Sequence, residues 1–219
     1  MASGKRLTDH KSRQDHFAKK ARQQGYVSRA AFKLEEIDKK YNILKRGQRV
    51  IDLGCRPGAW LQYAASKIAP EGYIIGIDRR TDDVNKPSAL IPDHSHIIEA
   101  DIRDVLAQLS EASKDNPSIT EATRACFQRP FDVVLSDMAP DLSGIKLRDH
   151  ARMEELLDLV LDIAVRFGSN NCYIVAKTFM MPDLKAIENR YRQHFPNTKV
   201  ILSKATREKS SERYIVSRR

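Results

Sequence analysis

The stretch RVIDLGCRPGAW, Arg49 to Trp60, decides how the rest of the chain is read. Arg49 to Leu53 is a short apolar run rich in strand formers. Gly54 and Gly58 bracket the turn GCRPG, and residues 59 to 69 then take helical spacing until Pro70 and Gly72 stop them. A strand, a glycine turn and a helix in direct succession open an α/β unit. The glycines let the backbone pass close to a ligand where that helix begins.

The same grammar recurs along the chain. YIIGI (73–77) runs into Asp78, HIIEA (96–100) into Asp101, and FDVVL (131–135) into SDMAP, which carries Asp137. CYIVAKTF (172–179), KVILS (199–203) and RYIVS (213–217) bring the expected strands to seven. Helices are expected from Ser28, read as an N-cap, through SRAAFKLEEIDKKYNIL, and over 103–113, 150–168 and 182–194. The helix over 150–168 has the clearest period, with apolar residues every three to four positions and Gly168 at its end. Strand and helix alternate, so the expected fold is α/β: a mostly parallel sheet with helices on both faces. The last two strands have no room for a crossover helix between them, so one of them is expected to be antiparallel. Residues 1–27 are polar and weakly periodic and read as a basic arm. Residues 28–219 read as one domain, with 114–130 a polar surface insertion.

Charge is unevenly placed. Residues 1–49 hold 14 Lys/Arg against 5 Asp/Glu, and residues 199–219 hold 7 against 2. The stretch between holds 17 against 22, so basic ends flank an acidic middle in a chain of net charge +9. That pattern fits a polyanion held by the ends, nucleic acid first among them. No run of about 18 apolar residues points to a membrane span. The start has no apolar core of the secretory kind. Cys55, Cys126 and Cys172 are isolated, which argues against zinc and disulfides and fits a reducing cytoplasm. His94 and His96 read as loop residues, not metal ligands, and Cys55 has no paired base to make it a nucleophile.

Ligands of open α/β sheets bind beyond the carboxyl ends of the strands. Four strands here end in or beside a carboxylate: Asp52, Asp78, Asp101 and Asp137. Taken singly, each reads as a helix N-cap. Taken in series beside a glycine loop, they read as a ligand site. The loop is G-x-x-x-G, which disfavours the dinucleotide fingerprint and excludes a P-loop. Asp78 stands where a carboxylate grips a ribose diol, and Asp101 where one meets an adenine amino group. A nucleoside without a phosphate tail means S-adenosylmethionine.

SRAAFKLEEI, VIDLGCRPGAW, IIGID, SDMAPDLSG, VAKTF and SSERYIV occur in that order. Together they resemble the FtsJ/RrmJ-type (RlmE) RNA ribose 2′-O-methyltransferases, over nearly the whole chain. The resemblance implies a Rossmann-like S-adenosylmethionine-dependent methyltransferase. It implies that Lys33, Asp137, Lys177 and Glu212 form the catalytic set, and that Gly58, Trp60, Asp78, Asp101 and Asp137 touch the cofactor. It implies 2′-O-methylation of a uridine ribose in large-subunit ribosomal RNA by a cytoplasmic monomer, with no metal and no membrane. Transfer RNA anticodon-loop ribose and a catalytically silent ribosome-assembly role are the alternatives. Ala59 stands where the family has a second glycine, and Arg56 where it has a small residue.

A ribose 2′-OH is a poor nucleophile, so the site must align it with the methyl group and remove its proton. A lysine serves as base when burial or a second cation weakens its hold on a proton. Lys177, sharing a site with Lys33, is the expected base and Asp137 its orienter. Lys33 and Glu212 are expected to position the ribose and its phosphate. Lys204, Arg207, Lys209 and Arg213, with the arm and the helix from 28 to 40, are expected to flank the site and hold RNA backbone. Tyr26, Phe32 and Tyr214 are candidate base-stacking groups, Phe32 with a competing place in the core.

Overall fold

The computed structural model describes residues 17–81, 95–109, 120–203, 205 and 210–219. Residues 17–23 are helical (α1). They are followed by α2 (Ala31–Tyr41), β1 (Arg49–Leu53), α3 (Ala59–Ile68), β2 (Tyr73–Asp78), β3 (Ser95–Glu99), α4 (Ile102–Leu109) and α5 (Glu121–Cys126). Then come β4 (Phe131–Ser136), α6 (Lys146–Phe167), β5 (Gly168–Phe179), α7 (Leu184–His194), β6 (Lys199–Ile201) and β7 (Glu212–Arg218). The seven strands form one sheet in the order β3-β2-β1-β4-β5-β7-β6. Every pairing is parallel except those of β7, which runs antiparallel between β5 and β6.

Both faces of the sheet are covered, which is why its central strands are mostly apolar. Val50, Ile74, Val133, Leu135, Val175, Tyr214 and Val216 pack against α2 and α3. Ile51, Leu53, Ile75, Ile77, Val134, Ile174 and Ile215 face the opposite way, toward α4 to α7. The period of two along each strand sorts its residues between the two cores. On α6, Met153, Leu157, Val160, Leu161 and Ala164 supply the buried stripe. Fully burying one such aliphatic side chain is worth about 1.5–3 kcal/mol. Among the described residues no helix is long and apolar enough to cross a membrane.

Four local readings change. The helix expected from Ser28 begins at Ala31; the Ser28 hydroxyl accepts from Ala30 N at 3.2 Å and makes a turn before the helix. The end of the expected arm is docked: Ala21 is buried, Val27 N donates to Gln62 Oε1 at 3.0 Å, and Phe17 meets Phe32. In the expected insertion, residues 114–119 lie outside the described residues, as does the end of the helix expected over 103–113, from 110 on. The part that follows is α5, capped by Thr120, and it sends Cys126 and Phe127 into the core. Its apolar residues are too few to show a helical period in a polar stretch. His96 lies in β3, while His94 is outside the described residues.

Order 2-1-4-5 makes β1 and β4 the switch point, since the chain leaves β1 toward one edge and returns at β4 toward the other. Gly54, just past β1, has φ +74° and donates to Ile77 O at 2.8 Å. A Cβ there would lie 2.5 Å from Met138 Cγ, so the two loops that frame the switch point touch through this glycine. Gly54→Ala is expected to destabilise the fold by roughly 1–3 kcal/mol. A chemical-denaturation midpoint equal to that of the parent would show that the loops separate freely.

Candidate active site

The strand register assembles the charged residues. Ser136 pairs with Ala176, so Asp137, one residue on, comes level with Lys177. Lys177 Nζ lies 3.0 Å from Asp137 Oδ1 and also donates to the backbone carbonyl of Asp137. On the other side of β5, Lys177 pairs with Tyr214 of β7, two residues from Glu212. Glu212 holds Lys33 of α2 with both oxygens, Oε1 at 2.7 Å and Oε2 at 2.9 Å, and accepts from the Tyr214 hydroxyl at 2.7 Å. Burial pushes the Glu212 carboxyl up, but Lys33, the Tyr214 hydroxyl and Lys177 together bring it below its ordinary value.

Two ion pairs therefore sit side by side, and neither is on the open surface. The Lys177 and Asp137 side chains are 11% and 24% exposed, those of Lys33 and Glu212 15% and 13%. Pairs this enclosed lose water to form, so their geometry has to be good for them to persist. Helix α2 is fixed to supply Lys33. The Asp38 carboxylate accepts from Ile43 N, Leu44 N and the Tyr63 hydroxyl, and the Trp60 indole donates to Ala30 O at 2.9 Å.

A cleft of about 810 Å³ opens over the carboxyl ends of β1, β2 and β4. Asp78, Asp101 and Asp137 all line it, with Gly54, Arg56 and Met138. Asp78 accepts from Arg56 N at 3.1 Å and Arg80 N at 3.2 Å, which orients the carboxylate and leaves lone pairs on both oxygens. Asp101 is gripped by Arg103 at 2.9–3.0 Å; this contact first, and the neighbouring cations after it, keep its carboxyl below the ordinary range despite partial burial. Gly58 and Trp60 stand behind the loop and not in the cleft wall. Gly58, at φ +107°, starts α3, and Trp60 is buried with its ring 5.8 Å from Tyr214.

Some readings of the sequence meet different surroundings. Phe32 and Tyr214 are buried among other rings, so neither is free to stack on a base; Tyr26 packs against Phe32 and Tyr63. Lys204, Arg207 and Lys209 lie outside the described residues. Ala59 is buried at the start of α3 and Arg56 lines the cleft. Sequence reading missed the wall that α6 contributes, Arg152, Glu155 and Leu156. Their i, i+3, i+4 spacing marks one helical face, but nothing in the sequence says which loop that face covers.

The architecture matches known proteins. The family model of the FtsJ-like methyltransferases matches residues 26–219. The chain belongs to that family. Proteins named ribosomal RNA large subunit methyltransferase E are similar along their length. The one from Bdellovibrio bacteriovorus is 36% identical over 92% of this chain and 94% of its own. The one from Myxococcus xanthus is 37% identical over 94% and 88%. A crystal structure of a Plasmodium falciparum protein described as a ribosomal RNA methyltransferase superposes with TM-score 0.66 at 25% identity, covering 88% of this chain and 97% of that one. Aeropyrum pernix fibrillarin, at TM-score 0.57 and 16% identity over 88% and 75%, shares the fold.

Asp52 has a different position from the other strand-end acids of this methyltransferase. It is fully buried, and among the described residues neither oxygen has a hydrogen-bond partner in good geometry, with only the Leu61 backbone N–H nearby to favour its charge. Burial first, then the nearby Asp137 and Asp78 charges, push its carboxyl from an ordinary 3.8 to about 8. Between those two values the native state keeps a proton that the unfolded chain has released, so stability falls as pH rises through the window. Asp52→Asn, an isosteric neutral group, is expected to gain on the parent as pH rises from 5 to 8. At pH 8 the gain should be at least about 2–4 °C in Tm, the shift expected per kcal/mol for a domain of this size. A difference that stays flat across the window would mean Asp52 is already ionised in the folded state.

Proposed function

We propose that this methyltransferase moves the methyl group of S-adenosylmethionine to a ribose 2′-OH of large-subunit ribosomal RNA. The observation that carries the reading is the double role of Asp137. It lines the cleft on one side and holds Lys177 on the other. The names of the relatives support ribosomal RNA as the substrate.

The cleft suits the cofactor by size and by charge. Its volume lies within the range of small-ligand sites, and its acids match a ligand that carries two cationic centres and a diol. Asp78, already oriented by two backbone donors, would take the diol, and Asp101, beside Arg103, the adenine edge. When bound, the cofactor supplies an electrophilic methyl group on a sulfonium. The ribose oxygen would take that methyl group as the carbon–sulfur bond breaks, and its hydroxyl proton would have to pass to a base of this chain. Lys177, held beside Asp137 at the cleft, would accept it as the free amine, after its own ammonium proton has passed to solvent. A cationic ligand in the cleft would repel the Lys177 ammonium across Asp137 and favour loss of that proton before transfer. Lys33, held by Glu212, adds positive charge on the substrate side, where a phosphate of the RNA backbone would lie. The three described cysteines are unpaired, which fits a reducing cytoplasm.

Lys177→Ala is expected to lower single-turnover methylation by about 10²–10⁴, the usual share of a general base, with cofactor affinity unchanged. Transfer within about tenfold of the parent would remove Lys177 from the role of base. Asp78→Ala is expected to weaken cofactor binding by about tenfold or more, the worth of a charge-assisted hydrogen bond, with Tm held. Calorimetry giving the parent's affinity would contradict the diol assignment.

A further inference from the structure

The segment between SDMAP and the body of α6 holds large apolar side chains in solvent. Leu142 is 69% exposed, Ile145 54% and Leu147 80%. Single exposed apolar residues are ordinary, but three within six positions are not. Nor is the segment slack. Ser143 N and Oγ donate to Asp149 Oδ1 at 2.8 and 2.7 Å, Gly144 N donates to Oδ2 at 3.2 Å, and Ile145 N donates to Ser143 Oγ at 3.3 Å. Arg152 fixes its start by donating to Asp141 O at 2.9 Å. The backbone is pinned with the apolar groups facing out.

Cations alternate with those groups: Lys146 and Arg148 are exposed, while the acids of the segment are committed, Asp149 to the turn and Asp141 to Arg79. A protein-binding patch is depleted of charge at its centre, so this mixture favours RNA. The place favours it too. Asp141 and Arg152 line the cleft mouth, a few residues beyond Asp137.

We infer that Leu142, Ile145 and Leu147 form a wedge that enters the base stack of the RNA beside the target nucleotide. Lys146 and Arg148 hold the flanking phosphates. The inference rests on the ribose-methylation reading above. Aliphatic side chains inserted at a base step unstack it, and basic neighbours supply the backbone grip. An open stack frees the target ribose to turn its 2′-OH toward Asp137 and Lys177.

The test compares the parent with an Ile145→Ser/Leu147→Ser double variant, whose exposed positions leave the core intact. Two substrates carry the same ribose methylated by the parent: a ribosomal RNA stem–loop in which the target is stacked, and an unstructured strand. 2-Aminopurine sits next to the target in both. The variant is expected to methylate the stem–loop about tenfold or more slowly, since a step costs a few kcal/mol to unstack. On the open strand it should stay within about twofold, as surface changes do. Cofactor affinity should hold, and the fluorescence rise on binding the stem–loop should disappear. Equal losses on both substrates, or no loss on either, would overturn the wedge. A loss seen only on assembled subunits and not on naked RNA would assign the segment to a protein partner. If the parent itself methylates no RNA, the ribose-methylation reading fails, and this one falls with it.

Discussion

The pairing of β4 with β5, and of β5 with β7, is the constraint on which the site depends. Asp137, Lys177 and Glu212 come from three strands, and only register makes them neighbours. Cross-strand partners share a face, so Lys177 and Tyr214 project together toward the side that carries α2 and Lys33. A slip of one residue in β5 would turn Lys177 to the other face and put Thr178 or Ala176 in its place. The apolar alternation of Ile174, Val175 and Ala176, each committed to one of two cores, resists that slip. The same residues that bury the strand therefore aim its lysine.

Charge sets the second constraint. Asp52, Asp78 and Asp137 converge on the ends of three adjacent strands, β2, β1 and β4, where like charges repel. Each is managed differently. Asp137 is balanced by Lys177, Asp78 is met by two backbone amides, and Asp52 is buried where its carboxyl is pushed up. The acidic middle of the chain, flanked by basic ends, has this cluster at its centre. A cationic ligand in the cleft would relieve repulsion that the fold otherwise has to absorb.

Much of this was legible in the sequence because the strands are short, apolar and closed by glycine or aspartate. That the sheet is mostly parallel and that one of the last two strands is antiparallel follow from the spacing of elements, and motifs with fixed neighbours single out Lys33, Asp137, Lys177 and Glu212, which the fold brings together. What stayed hidden depends on contact across long separations. Tyr214 looks like an exposed tyrosine beside an arginine until β7 is placed between β5 and β6, which buries it. Ser28 has the composition of an N-cap, but its hydroxyl turns to Ala30 instead. The first turn of α6 escaped the period because Leu147 faces solvent and breaks the stripe that Met153 begins. Trp60 is singled out by the resemblance alone, and nothing in the sequence tells that its indole donates to the turn before α2.

That last contact reaches beyond packing. Trp60 ends the glycine loop of the cleft and hydrogen-bonds to the turn that starts α2. Helix α2 carries Lys33 to Glu212. The glycine loop at the cleft and the helix that carries Lys33 are thus joined as one unit through this hydrogen bond. By thermodynamic reciprocity, a ligand that shifts this unit on one side alters affinity on the other by the same factor, whichever ligand arrives first.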